Sequence, residues 1–346
     1  MKSVALSGLI AVSLMASSLI HEAKQAGLKP IPSNKKALFK LINNPKNPIT
    51  KAKVHLGEQL YFDPRLSGSE HLSCNACHHI GLYGADGLPD AIGNKWRHNI
   101  HHLNSPTVYN AVFNKRQFWD GRAKNLETQA QGPLQAPFEM AATKTHVVKV
   151  VTSIPKYREE FKKAYGNKKI TFILIADTIA SFERTLVTPA PYDKFLNGDK
   201  NALSPVQKKG LKTFIKLGCV SCHNGINLGG EMQPFGIYAK YKFANIGNFK
   251  GNKNGLVKVP TLRNILKTAP YFHNGAEKTI TGAIKEMGRI QLGIKVTNKQ
   301  ARLIKEFFKS LTGKRPALAY PKIPASTSST PKPPKAPLKP NIDYKL

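Results

Sequence analysis

Four stretches of the chain carry apolar residues at helical spacing next to helix-start signals. Thr50 to Phe62 places Val54, Leu56, Leu60 and Tyr61 on one helix. Ser204-Pro205-Val206-Gln207 opens a second: Ser caps the free amides, Pro suits the first turn, and Gln207 reaches back to the cap. Leu211, Phe214 and Ile215 follow on it. Two apolar helices close long intervening stretches, one with Ile175, Ile179, Phe182 and Leu186, the other with Leu303, Ile304, Phe307 and Leu311. The last is opened by Thr297-x-x-Gln300 and stopped at Gly313. No alternating strand pattern competes. The pattern predicts an all-α chain of two domains, residues 24–188 and 189–315, joined near Thr188 to Pro191.

The ends read differently. Met1-Lys2 precedes an apolar run from Val4 to Ile20 with small residues at Ala16, Ser17 and Ser18. One cation, a short apolar core and small residues describe an export signal over 1–23, cut after Ser18 or after Ala23. The run falls short of the roughly 20 residues a membrane span needs. Export implies the periplasm. From about residue 316 the chain is rich in Pro, Ser, Thr and Lys, which predicts an extended, disordered tail over 316–346.

Composition narrows the class. The 346 residues hold 41% hydrophobic positions, too many for a disordered chain. Lys and Arg number 53 against 20 Asp and Glu, a formal charge of +33. The cations are spread along the chain and no nucleic-acid-binding motif accompanies them, so a nucleic-acid partner is excluded. A basic surface steers acidic partners in a salt-dependent way, or serves solubility alone.

The four cysteines, Cys74, Cys77, Cys219 and Cys222, fall in two Cys-x-x-Cys-His units, with His78 and His223 next. Two thiols one turn apart can add to the two vinyl groups of haem, and the adjacent imidazole then lies under the iron. A zinc ribbon wants about 15–20 residues between its pairs. Here more than a hundred separate them. The spacing predicts two covalently bound c-type haems, each in a helix–motif–loop–helix unit.

Between and after these motifs run Asn104-Ser105-Pro106-Thr107, Phe118-Trp119-Asp120-Gly121-Arg122-Ala123, Gly132-Pro133 and Pro137-Phe138-Glu139-Met140. Val259-Pro260-Thr261-Leu262-Arg263-Asn264 and Ala269-Pro270-Tyr271-Phe272-His273-Asn274-Gly275 follow. This ordered set, over about residues 50 to 312, closely resembles the bacterial dihaem cytochrome c peroxidases. The resemblance implies unequal jobs for the two haems. The first, on Cys74, Cys77 and His78, would be peroxidatic. The second, on Cys219, Cys222 and His223, would receive electrons, with Met287 as its sixth ligand; His/Met ligation raises the potential. Trp119 would couple the haems, Glu139 would move protons over the first iron, and Gln129 would hold peroxide. Asn104, Thr268 and Pro270 match a calcium site, with oxygen ligands that suit this ion. A homodimer is implied as well.

One departure stands out. The family carries a removable distal histidine in a Gly-His-x-Trp pattern, and this chain reads Gly93-Asn94-Lys95-Trp96. The following loop offers His98, His101 and His102. Either His101 or His102 caps the first iron, or no histidine does and these are solvated loop residues. The resulting expectation is a periplasmic enzyme that reduces hydrogen peroxide with electrons from a small, acidic, soluble redox protein such as a c-type cytochrome. The rivals are a dihaem electron carrier, which has no use for Glu139 and Gln129, and the related enzymes that oxidise protein tryptophans, which place Tyr where Met287 lies.

Overall fold

The computed structural model describes residues 17–317 and 320–333. Each half of the chain is built on one close helix crossing. Helix Lys51–Phe62, capped by Thr50, packs across helix Phe172–Glu183, capped by Thr171. Helix Pro205–Lys216 packs in the same way across helix Asn298–Lys309. Both capping boxes read from the sequence are formed, Ser204 with Gln207 and Thr297 with Gln300. A glycine sits at each point of closest approach. A methyl group on Gly57 would strike the Thr178 carbonyl and Phe182, and one on Gly210 would strike the Leu303 carbonyl and Phe307. Around these crossings lie two separate cores, one including Leu56, Leu60, Ile175 and Ile179, the other Leu211, Phe214, Ile304 and Leu311.

The repeat extends to the loops. Pro106 and Pro260, Asn110 and Asn264, Phe118 and Phe272, and Gly121 and Gly275 recur at one constant separation. Asn110 and Asn264 share left-handed backbone (φ 61° and 60°), as do Phe118 and Phe272 (66° and 69°). The two asparagines meet at the joint, where both side-chain amides donate to the buried Thr188 Oγ1, at 2.7 and 2.9 Å. A bidentate buried pair, Arg263 with Asp193 at 2.8 and 2.9 Å, braces the second half. Breaking such a pair costs about 3–5 kcal/mol, because the survivor is left charged and dry.

Three expectations need correction. The fold is not purely helical: Met232–Pro234 and Leu256–Lys258 form an antiparallel ribbon, with Gln233 opposite Val257. Strands of three residues are too short to show alternation. The first domain does not begin at 24. Residues 17–25 are helical, and Leu19, Ala23 and Leu28 are buried in the second core. The Ile31 amide also bonds to Asp193, at 2.7 Å. A signal cut after Ala23 would strip two residues from that core, and a cut after Ser18 would spare both; the rest of the signal, residues 1–16, lies outside the described residues. Finally, the described part of the tail is not free; residues 318–319 and 334–346 lie outside the described residues. Arg315 donates to the Ile80 and Gly81 carbonyls, Tyr320 packs edge-on against Phe62, and Gln59 donates to the Lys322 carbonyl. Arg65 reaches Ser326, and Ser153 bonds to the buried Thr330. The second half thus throws a strap over the first. Among the described residues, no helix is long and apolar enough to cross a membrane.

Candidate functional site

The second Cys-x-x-Cys-His unit opens a cleft. Helix Pro205–Lys216 ends at Gly218, whose left-handed backbone (φ 80°) turns the chain into Cys219–Ser221. Cys219, Cys222 and His223 line the cleft, as does Met287 from helix Ile280–Gln291. Most of the remaining lining is apolar, including Phe214, Ile284 and Phe308. His223 Nδ1 is bonded to the Leu228 carbonyl at 3.0 Å, so Nε2 is left for a metal. The first unit repeats this: His78 Nδ1 bonds to the Pro106 carbonyl at 2.8 Å. Burial lowers the pKa of both imidazoles, favouring the neutral form a metal requires.

The thiols argue in the same direction. Burial pushes Cys77 and Cys219 up to about 12, and Cys74 higher still. A redox dithiol needs a lowered pKa. Raised thiols at Cys74, Cys77 and Cys219 speak against a redox dithiol, and each motif's histidine, with Nε2 left free, fits covalent haem.

The first unit has a carboxyl group beside it. Glu139 is half-buried, and burial raises its pKa while Arg122 pulls it down. Its field in turn raises Cys77, so carboxylate and motif are neighbours. Asn94, at the departure from the family pattern, donates its backbone amide to the Glu139 carbonyl at 2.8 Å. The loop histidines divide. His98 and His102 lie 3.1 and 3.6 Å from the Asp90 carboxylate. His101 bonds to Asn248 at 2.7 Å and packs edge-on against Phe138, next to Glu139. Gln129 ends the short helix Leu126–Gln129 and is half-buried.

Trp119 lines the second cleft. It is 7% exposed, donates Nε1 to the Asn104 carbonyl at 2.9 Å, and meets its repeat counterpart His273 edge to face at 6.3 Å. His273 lines the same cleft. Asn104, Thr268 and Pro270 line it too, and the Asn104 amide lies 3.4 Å from the Pro270 carbonyl. As found, that amide presents nitrogen to the carbonyl; a calcium ion would require it turned over, with Oδ1 inward.

Two residues escaped the sequence reading. Arg122, the cation acting on Glu139, lies in a quoted block, but only proximity gives it a role. Lys258 is buried in the wall of the second cleft, which nothing in its local sequence foretells.

Comparisons with known proteins identify the family. A profile of the family described as di-haem cytochrome c peroxidase matches residues 51–201. The chain is 43% identical over 336 residues to a cytochrome c551 peroxidase of Pseudomonas aeruginosa, covering 93% of this chain and 95% of that one. The chain belongs to the di-haem cytochrome c peroxidase family. A cytochrome c551 peroxidase of Nitrosomonas europaea is 45% identical over 287 residues, 81% of this chain and 85% of its own. Identity at this level over most of the length makes the protein an enzyme, a peroxidase, and the family implies c-type haem at the two motifs. The methylamine utilization protein MauG of Methylorubrum extorquens is more distant, 34% identical over 248 residues and 66% of each chain. Among solved structures, a MauG-like protein associated with microbial copper homeostasis superimposes with a TM-score of 0.69 at 25% identity, covering 79% of this chain and 93% of that one.

Proposed function

We propose that the protein is a periplasmic di-haem peroxidase with a strict division of labour: hydrogen peroxide is reduced at the first motif, and electrons arrive at the second. The observation that supports this reading is the contrast in what lies beside each motif. Glu139, a carboxyl with a raised pKa, lies by the first unit, while the cleft of the second is apolar and lined by Met287.

When bound, haem supplies the iron at which the O–O bond breaks and through which electrons pass. The chain does the rest. His78 and His223 hold the metals through Nε2, each oriented by its backbone acceptor. Met287, in the same cleft as His223, would help hold the second metal. Glu139 would take a proton from one peroxide oxygen and return it to the departing oxygen, and Gln129 would hold peroxide by hydrogen bonds. Trp119, packed and hydrogen-bonded, keeps a fixed ring between the sites. Two electrons and two protons convert one hydrogen peroxide into two waters. His101 is the loop histidine best placed to cap the first iron, because it alone packs beside the Glu139 segment. Asn104, Thr268 and Pro270 would hold calcium between the halves. The charge of +33 favours a small acidic donor such as a c-type cytochrome, with a homodimer as the assembly. Met287, where the tryptophan-oxidising relatives carry Tyr, speaks against that chemistry here.

The test is Glu139→Gln in the haem-loaded enzyme. Peroxide turnover should fall by about 10²–10⁴-fold while reduction by a small cytochrome keeps its rate. Turnover within a few-fold of the parent would remove Glu139 from the reaction and the division of labour with it.

A further inference from the structure

The peroxidase chemistry leaves one buried cation without a task. Lys258 closes the strand Leu256–Lys258, and its backbone N–H donates to the Trp119 carbonyl at 2.8 Å. Only 4% of the residue is exposed, and it lies in the wall of the cleft that holds Cys219, Cys222, His223 and Met287. None of the residues lining that cleft is Asp or Glu. Among the described residues the nearest help is the field of Asp120, whose carboxylate is already paired with Arg122 at 3.0 Å. Among the described residues no ion pair includes Lys258, and a largely buried cation without a counter-charge is costly, so an anion entering the cleft would stabilise it. Burial draws this one down to about 8 against the opposing field of Asp120.

The missing anion has a natural source. Haem is an apolar disc with two carboxylates on one edge, and the cleft is apolar apart from a few groups, among which Lys258 carries the one permanent cationic side chain. We propose that Lys258 is the propionate clamp of the second haem, a positioning residue that pairs with the carboxylate edge of the macrocycle. This rests on the reading that the second motif carries haem. The placement has two consequences. The ribbon and the bond to Trp119 fix the clamp to the residue proposed to couple the sites. Its charge also acts on His78, so it lies within reach of the first motif as well as in the wall of the second cleft. A positive charge held at the edge of the second haem favours the reduced iron and keeps this site the better electron acceptor.

The test uses the haem-loaded full chain with Lys258→Gln and Lys258→Arg, and Lys258→Met should the first fail to accumulate. Haem content per chain is measured first, then the two reduction waves by spectroelectrochemical titration. With two haems per chain, Lys258→Gln should lower the midpoint of the second wave by at least a tenfold change in the reduced-to-oxidised ratio, about 59 mV for one electron. The first wave should move less, and Lys258→Arg should stay within threefold of the parent. Unshifted waves in Lys258→Gln would overturn the clamp. So would a larger shift in the first wave, or an equal shift in Lys258→Arg, which would make packing rather than charge the cause. One haem per parent chain would instead refute the reading of the second site itself, whatever the potentials.

Discussion

Gly57 and Gly210, Asn110 and Asn264, and Phe118 and Phe272 perform the same tasks in the two halves: a close crossing, a shared joint and a turn with left-handed backbone. The halves part where chemistry is asked of them. At one repeat position the first half has Trp119 and the other His273. The first motif has a titratable carboxyl and a histidine-bearing loop beside it, whereas the second has an apolar cleft and a thioether. In the proposed reading, a duplicated scaffold would hold two metals in matching frames, and the side chains around each frame would decide whether it reacts or conducts.

That comparison can be broken at several points. The largest effect is the loss of turnover in Glu139→Gln, by about 10²–10⁴-fold; Met287→Ala should leave peroxide chemistry reachable from a chemical reductant and slow only the cytochrome-driven rate, as stopped-flow assays with each reductant would show. Next, Arg263→Ala should destabilise the protein by about 3–5 kcal/mol, read from denaturant unfolding, because Asp193 would be left buried and charged.

Glu183 gives a pH-dependent contrast. It is buried, its Oε2 has no partner, and burial raises its carboxyl from 4.5 to about 8. The folded protein therefore holds a proton that the unfolded chain releases, so stability falls as pH rises from about 4.5 towards 8 and is unaffected by this group below that window. Glu183→Gln should flatten that fall, worth a few kcal/mol between pH 5 and 8 in urea melts. The smallest effects test the symmetry of the scaffold. Gly57→Ala and Gly210→Ala should each cost about 1–3 kcal/mol by forcing the crossings apart, and the two values should agree within about 1 kcal/mol.

Much of this was legible in the sequence. Helix starts depend on bonds between residues three apart, so Thr50, Ser204 with Gln207 and Thr297 with Gln300 declare themselves locally. The haem motifs are equally local. What escaped depends on distant partners. The strap of residues 315–330 is held by carbonyls and hydroxyls of the other half, which its composition cannot reveal. Leu19 and Ala23 look like signal residues until the core they fill is seen. Lys258 reads as one lysine among many, and only its burial in a cleft without carboxylates sets it apart.

The central claim is that one site takes external ligands and the other does not. Cyanide binding to the haem-loaded enzyme, followed optically and by electron paramagnetic resonance, tests it directly. The account predicts one cyanide bound per two haems in the half-reduced enzyme, with affinity altered by Glu139→Gln and untouched by Met287→Ala at that site, while Met287→Ala opens a second. Two cyanides bound by the parent, or a single one whose affinity follows Met287 rather than Glu139, would contradict it.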